Sequence, residues 1–302
     1  HRPRVALPAT GKKHFLNINF GAPVVKRGAP CYNVGMKLIL CCDYGLDDAA
    51  ATADALAHAA QDGYSEAVLV AAGGNVPPEV SLENAKKLVA HLPFGTVPLT
   101  VVDTTGEAQP YEFLKTIHGE DGMGDLFSDA AGFCAAVVPF AQWLEELSGE
   151  FDLLSLGPMT LVPRILAHKN ARRFVFMGGN IAEEPNFHGY EFNHALDREA
   201  FSIAVRAWPH VAVTMDTCRV PALNIQKNPP AGTGFLAKIV RRAREMTFVS
   251  GEKGCYIWDD MAVKVLRHPE WFETYAATDR DGNRLTVARY VLGKPYEDIM
   301  EA

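Results

Sequence analysis

Three aspartates fall within six residues in the run Asp43-Tyr-Gly-Leu-Asp-Asp48. Carboxylates this close repel one another unless a cation or a proton sits between them. Side-chain oxygens of this kind suit hard cations such as Ca²⁺ or Mg²⁺. A second role competes for Asp47 and Asp48, because acidic residues also complement the positive end of a helix. The run lies at a junction. Lys37-Leu-Ile-Leu-Cys-Cys42 before it reads as a buried strand, and the Ala-rich stretch Leu46 to Asp62 after it reads as a helix stopped at Gly63. Asp43 therefore ends a strand, Gly45 permits a tight turn, and Asp47 and Asp48 open a helix.

The elements that must position these groups follow the same rhythm. Ala67–Ala72, Leu99–Val102, Asp152–Leu156, Arg173–Met177 and Val211–Met215 read as further strands, with a helix near Leu82 to Leu92 and helical sequence after the later strands. Val211–Met215 closes the series. Alternation of this kind implies an α/β fold, an open and mostly parallel sheet flanked by helices on both faces. Such sheets place their sites in the loops beyond the carboxyl ends of the strands. Residues 37–302 read as one domain. Residues 1–36 form an N-terminal extension outside the rhythm, although His14–Phe20 alternates like a strand.

Bulk properties narrow the function classes. The chain has 302 residues, of which 48% are hydrophobic, enough for a large packed domain. A net charge of −7 argues against binding nucleic-acid backbones. The positive charge ahead of Asp43 (Arg2, Arg4, Lys12, Lys13, Lys26, Arg27 and Lys37) reads as a solvated basic segment. Six cysteines make no C-x-x-C pair, and adjacent Cys41 and Cys42 point to opposite sides of a strand. They read as reduced, mostly buried thiols of a cytoplasmic protein. No apolar run is long enough to span a membrane, and the opening His1-Arg-Pro-Arg4 has no signal-peptide core.

The loops beyond the strands carry a set of short motifs: Gly73-Gly-Asn75 followed by Asn84-Ala85, Ile117-His-Gly-Glu-Asp-Gly122, Leu156-Gly-Pro-Met-Thr160, Met177-Gly-Gly179, Glu191-Phe-Asn193 with Asp197, and Trp258-Asp-Asp-Met-Ala262. With Cys41-Cys-Asp-Tyr-Gly-Leu-Asp-Asp48 they resemble, in order, the motifs of the nucleoside hydrolase family, whose first signature is usually D-x-D-P-G-x-D-D. Each motif alone is weak; the series in order is specific.

That resemblance implies a deep pocket with one Ca²⁺ at its base. By similarity its ligands are Asp43, Asp48, Asp259 and the backbone carbonyl of Leu156, with the ribose 2′- and 3′-hydroxyls and a water completing the shell. Asp43 would be the general base that deprotonates the water attacking C1′. Asp47, Asn186, Glu191 and Asn193 would hold the ribose hydroxyls, and Asn75, Met177, His118 and Phe192 would line the pocket. The implied reaction is hydrolysis of a ribonucleoside to ribose and free base through an oxocarbenium-like sugar, which nearby carboxylates stabilise. Many members carry a histidine before the last metal aspartate, whereas purine-preferring members carry a tryptophan. Trp258 therefore tilts the expectation toward purine nucleosides. The resemblance also implies a homodimer or homotetramer.

Simpler roles compete: Glu191 and Asn193 as helix caps, Met177 and Trp258 as core, His118 as a loop histidine. The chain departs from the signature at Cys41, which replaces an aspartate, and at Tyr44, which replaces proline; Asn186 is matched only across a gap. Other readings are hydrolysis of another ribosyl compound, such as nicotinamide riboside, with the base pocket set by loops near Asp103–Lys115 and Met246–Ile257, and a non-catalytic nucleoside binder, against which the retained Asp43 and Asp259 argue. A dinucleotide-dependent oxidoreductase is disfavoured because no G-x-G-x-x-G follows the first strand and its carboxylates would repel a pyrophosphate.

Overall fold

A computed structural model describes residues 35–168, 170–250 and 254–300. The expectations for His14–Phe20, and nearly all of the 1–36 extension, lie outside the described residues. In chain order the elements are β1 (Met36–Cys42), α1 (Leu46–His58), β2 (Tyr64–Ala71), α2 (Pro78–His91), β3 (Leu99–Asp103), α3 (Lys115–His118), β4 (Ala136–Pro139), α4 (Phe140–Glu146), β5 (Phe151–Ser155), α5 (Val162–Leu166), β6 (Ala171–Met177), α6 (Phe192–Leu196), α7 (Arg198–Ala207), β7 (Val211–Val213), α8 (Met215–Cys218), α9 (Phe235–Ser250), α10 (Trp258–Arg267), β8 (Phe272–Thr278), β9 (Arg284–Tyr290) and α11 (Tyr296–Ile299).

The strands form one sheet in the order β4-β3-β2-β1-β5-β6-β7-β9-β8, parallel except where β8 pairs antiparallel with β9. The chain winds outward from β1 through β2 and β3 to β4, then returns to lay β5 on the other side of β1. The boundary between β1 and β5 is thus a topological switch point, where an open parallel sheet leaves a crevice at its carboxyl edge.

Side chains alternate across β1. Leu38, Leu40 and Cys42 join the core under α1, α9 and α10, while Ile39 and Cys41 join the core under α4, α5 and α7. Both faces of the sheet are covered, so its central strands are almost wholly apolar. Cys41 and Cys42 sit in separate cores and are both free thiols, as their adjacency on a strand requires.

Two parts of the sheet differ from the expectation. The short edge strand β4 has only Ala136-Val-Val-Pro139 to mark it. Val211–Met215 does not close the sheet: β7 ends at Val213, Met215 opens α8, and the β8–β9 hairpin adds two strands beyond it. The hairpin turns through Asp279–Gly282, with Gly282 at φ 78°. It joins late-sequence residues to a sheet whose earlier strands all arrive by helical crossovers, so the βα rhythm gave no cue to it.

Candidate active site

The loop after β1 is folded by its own carboxylates. Asp48 accepts hydrogen bonds from the amides of Gly45 (2.8 Å) and Asp43 (3.1 Å), capping α1 and closing the turn. Tyr44, between them, has φ 44° and is fully buried. Proline is locked near φ −65°, so this loop takes a path that the proline of the usual signature cannot follow.

Asp43 is fixed from the β2 side. Asn75 donates its amide N–H to Oδ2 (2.6 Å) and its Nδ2 to Oδ1 (3.1 Å). Two glycines let backbone come this close. A Cβ at Gly74 would overlap the Asp43 carboxylate, and one at Gly157 would lie 2.9 Å from its Cγ. These contacts give the Gly73-Gly-Asn75 and Leu156-Gly-Pro158 motifs their physical meaning.

Above Asp43, carboxylate oxygens of Asp47, Asp48 and Asp259 all lie within 4.8 Å of one another. The first two come from the head of α1 and the third from the head of α10. Asp47 joins two of the implied ligands in this triplet, and Asp43 lies fully buried beside Asp48, with its oxygens accepting from Asn75. The carbonyl of Leu156, the other implied ligand, accepts from Asn193 Nδ2 (2.8 Å) and retains a second lone pair.

These acids are expensive to ionise together. Burial pushes Asp43 up to about 7 and Asp47 up to about 6. Asp48 and Asp259 are raised well above the ordinary carboxylate range, by burial first and then by repulsion from their acidic neighbours. Asp47 Oδ1 is buried without a hydrogen-bond partner. An all-oxygen, mutually repelling set with an orphaned oxygen fits a hard divalent cation.

Over this floor lies a cavity of ≈ 600 Å³. Asp47, Asn75, His118, Leu156, Met177, Asn186, Glu191, Phe192, Asn193, Trp258 and Asp259 all line it; of the expected site residues, only Asp43 and Asp48 do not. Glu191 is largely spent on structure. It caps α6 by accepting from the amides of Asn193 (3.0 Å) and His194 (3.1 Å), and it holds Gly179 N (2.8 Å). The simpler reading of Glu191 as a cap is therefore correct, although the residue still borders the cavity. Asn193 likewise ties Leu156 O to Met177 O (3.3 Å), bridging β5 and β6.

His118 is a wall residue. Its Nδ1 accepts from the Leu46 amide (3.2 Å) at the start of α1, and burial lowers it to about 4. A ring that accepts at Nδ1 is neutral and carries its proton on Nε2. Trp258 forms the opposite kind of wall, with Tyr256 at 5.2 Å between ring centroids and the Arg219 guanidinium 5.7 Å from its ring. Arg219 also donates to the carbonyl of Glu184 (3.1 Å), tying in the loop that carries Asn186. Asp216 holds the start of that loop through the amides of Ile181, Ala182 and Glu183. Arg219 and Phe187 escaped the sequence reading. Arg219 follows β7, but a four-residue helix separates it from the strand end.

Leu156 and Asp43 meet at the switch point, beside carboxylates from two helix heads and below an aromatic wall. The same order of elements appears in known proteins. A family model described as inosine-uridine preferring nucleoside hydrolase matches residues 38–292. The chain belongs to that nucleoside hydrolase family. Among curated relatives, the non-specific ribonucleoside hydrolase RihC of Salmonella enteritidis is 32% identical over 181 residues, spanning 57% of this chain and 58% of that protein. Among solved structures, the purine-preferring ribonucleoside hydrolase from Gardnerella vaginalis superposes with a TM-score of 0.66 at 22% identity, covering 85% of this chain and 94% of that one. An inosine-uridine preferring nucleoside hydrolase from Bacillus anthracis gives 0.63 at 17% identity, covering 88% and 97%. At these identities the two structures establish the nucleoside hydrolase fold. Among the described residues no helix is long and apolar enough to cross a membrane.

Proposed function

We propose that this protein hydrolyses the N-glycosidic bond of ribonucleosides to ribose and free base, favouring purine nucleosides, with Ca²⁺ held by the acidic floor. The observation that carries the reading is the carboxylate triplet of Asp47, Asp48 and Asp259 at the base of a cavity walled by Trp258.

Asp43, Asp48, Asp259 and the Leu156 carbonyl would hold the cation, with Asp47 beside it. When bound, the cation supplies Lewis acidity and coordination positions for a vicinal diol. The chain's own groups do the rest. Asp43, oriented by Asn75 and raised toward neutrality by burial, takes a proton from the attacking water. Asp47 offers its unpartnered oxygen to a ribose hydroxyl. Asn186 and Asn193 border the sugar, and the acidic surroundings favour the positive charge that develops on it. A 2′-deoxy sugar would leave a buried acceptor unmatched and be rejected. Trp258 offers a face on which a purine stacks. The family resemblance adds a homodimer or homotetramer, which sedimentation of the purified protein would check, and the free, mostly buried thiols suit a cytoplasmic protein.

The test is release of free base from a panel of ribonucleosides, with and without Ca²⁺ after chelation. Calcium-dependent release, fastest with purines, is the expected result. No release from any nucleoside by folded, Ca²⁺-loaded protein would overturn the reading and favour another ribosyl compound as substrate.

A further inference from the structure

Helices α1 and α10, whose first turns bear the carboxylate triplet, pack against each other. About two turns down α1 from Asp47, roughly 10 Å along the axis, stands Asp54. Lys264 stands at a similar depth on α10. Both are fully buried, and Lys264 Nζ lies 3.1 Å from Asp54 Oδ2. The ammonium also donates to Met300 O (3.1 Å) and lies 4.0 Å from Asp260, whose carboxylate receives the Tyr296 hydroxyl at 2.7 Å. Asp54 further meets Arg267 (3.5 Å) and His58 (3.3 Å). The joint therefore draws in α1, α10 and the α11 segment.

A buried ion pair is weak evidence for stability, because apolar residues of similar volume often serve as well; its best-attested use is to fix register. Apolar packing alone does little to fix the register of α1. Ala49, Ala50, Ala51, Ala53 and Ala55 are all buried in it, and so smooth a surface gives a neighbouring helix few ridges to lock into. Sliding α1 along α10 would change the spacing between Asp47 and Asp48 on one helix head and Asp259 on the other.

We infer that Lys264, through Asp54, is a positioning residue that sets the axial register of α1 against α10 and thereby the spacing of the cation-binding carboxylates. The inference rests on the cation centre proposed above.

The test compares the parent chain with Asp54→Leu/Lys264→Leu, which replaces the pair with apolar volume and leaves Arg267 its bond to Asp62 (2.8 Å) and Asp260 its bond to Tyr296. Ca²⁺ affinity is measured by titration calorimetry on chelated protein, and Tm is measured without metal. A loss of Ca²⁺ affinity of about tenfold or more, the scale seen when supporting residues around a metal site are changed, with Tm held, is the expected result. Unchanged affinity overturns the inference, whether Tm holds or falls, because the pair is then merely structural. Should the double variant fail to fold, Asp54→Asn/Lys264→Gln, which keeps a hydrogen-bonded pair without charge, is read by the same criteria. Absence of Ca²⁺ binding by the parent would instead overturn the cation centre, and the inference with it.

Discussion

The floor and the wall of the cavity are built in opposite ways. The floor is made where strands end and helices begin, and its groups are fixed by short hydrogen bonds that each involve backbone: Asp48 by two amides of its own loop, Asp43 by the Asn75 amide, and the Leu156 carbonyl by the Asn193 side chain. Backbone approaches so closely that Gly74 and Gly157 have no room for a side chain. The wall is made of side chains from loops and later helices. Trp258, Tyr256 and Arg219 hold one another mainly through ring and cation contacts and are only part-buried. A site built this way fixes its chemistry in the sheet and leaves its selectivity to groups that can change without disturbing the core.

Substitutions can break or sharpen this contrast. The largest effect is expected from Asp43→Ala, which should lower kcat by about a thousandfold, within the range for loss of a general base, while circular dichroism shows a folded protein. Asp47→Ala in the same assay separates the buried acid from the cavity-facing one: near-normal turnover of Asp43→Ala with loss in Asp47→Ala would move the base to Asp47. Gly74→Ala should come next. It removes no functional group, yet its methyl would displace the Asp43 carboxylate, and a shift of about 1 Å costs on the order of 100-fold in kcat. If Gly74→Ala were silent, the floor would be less rigid than its contacts imply.

Trp258→Ala should cost about tenfold in kcat/KM for purine nucleosides, the scale of one lost base–aromatic stack, and less for pyrimidine nucleosides. Equal losses with both would deny the wall its part in selectivity.

The smallest effect is on thermal stability. Because burial raises Asp43 to about 7, above the ordinary value near 4, the folded chelated protein holds its proton more tightly than the unfolded chain. That contribution is present on the acid side and is lost as pH rises from about 4 through about 7. The gain in Tm on adding Ca²⁺ should therefore be larger at pH 7.5 than at pH 5.5. Asp43→Ala should narrow the difference, and Trp258→Ala should leave it intact.

Most of the floor was legible in the sequence because Asp43 to Asp48, Asn75 and Leu156 each lie within a few residues of a strand end, and the alternation of strands and helices gave the sheet that brings them together; Asp259, at the head of α10, was found by the motif around it. The details were not legible where distant parts of the chain meet. Asp43 and Asp47 lie four positions apart in one loop, and only their hydrogen bonds and burial show which faces the cavity. Glu191 reads equally well as a sugar ligand or as a helix cap until Gly179 N is seen to reach it. Arg219 meets Trp258, and Lys264 meets Asp54, across sequence separations that no local pattern records. The β8–β9 hairpin was missed because its strands obey a period of two at the end of a chain otherwise organised by crossovers.

Tyr44 carries one more consequence. A protein engineer restoring the usual proline at position 44 would be asking the backbone to leave φ 44° and the core to lose a fully buried phenol ring at once. Tyr44→Pro alone makes both demands and leaves a cavity where the ring was, so it should destabilise the fold, as a lowered Tm would show. Redesign toward the common signature must exchange the loop and its packing as a unit.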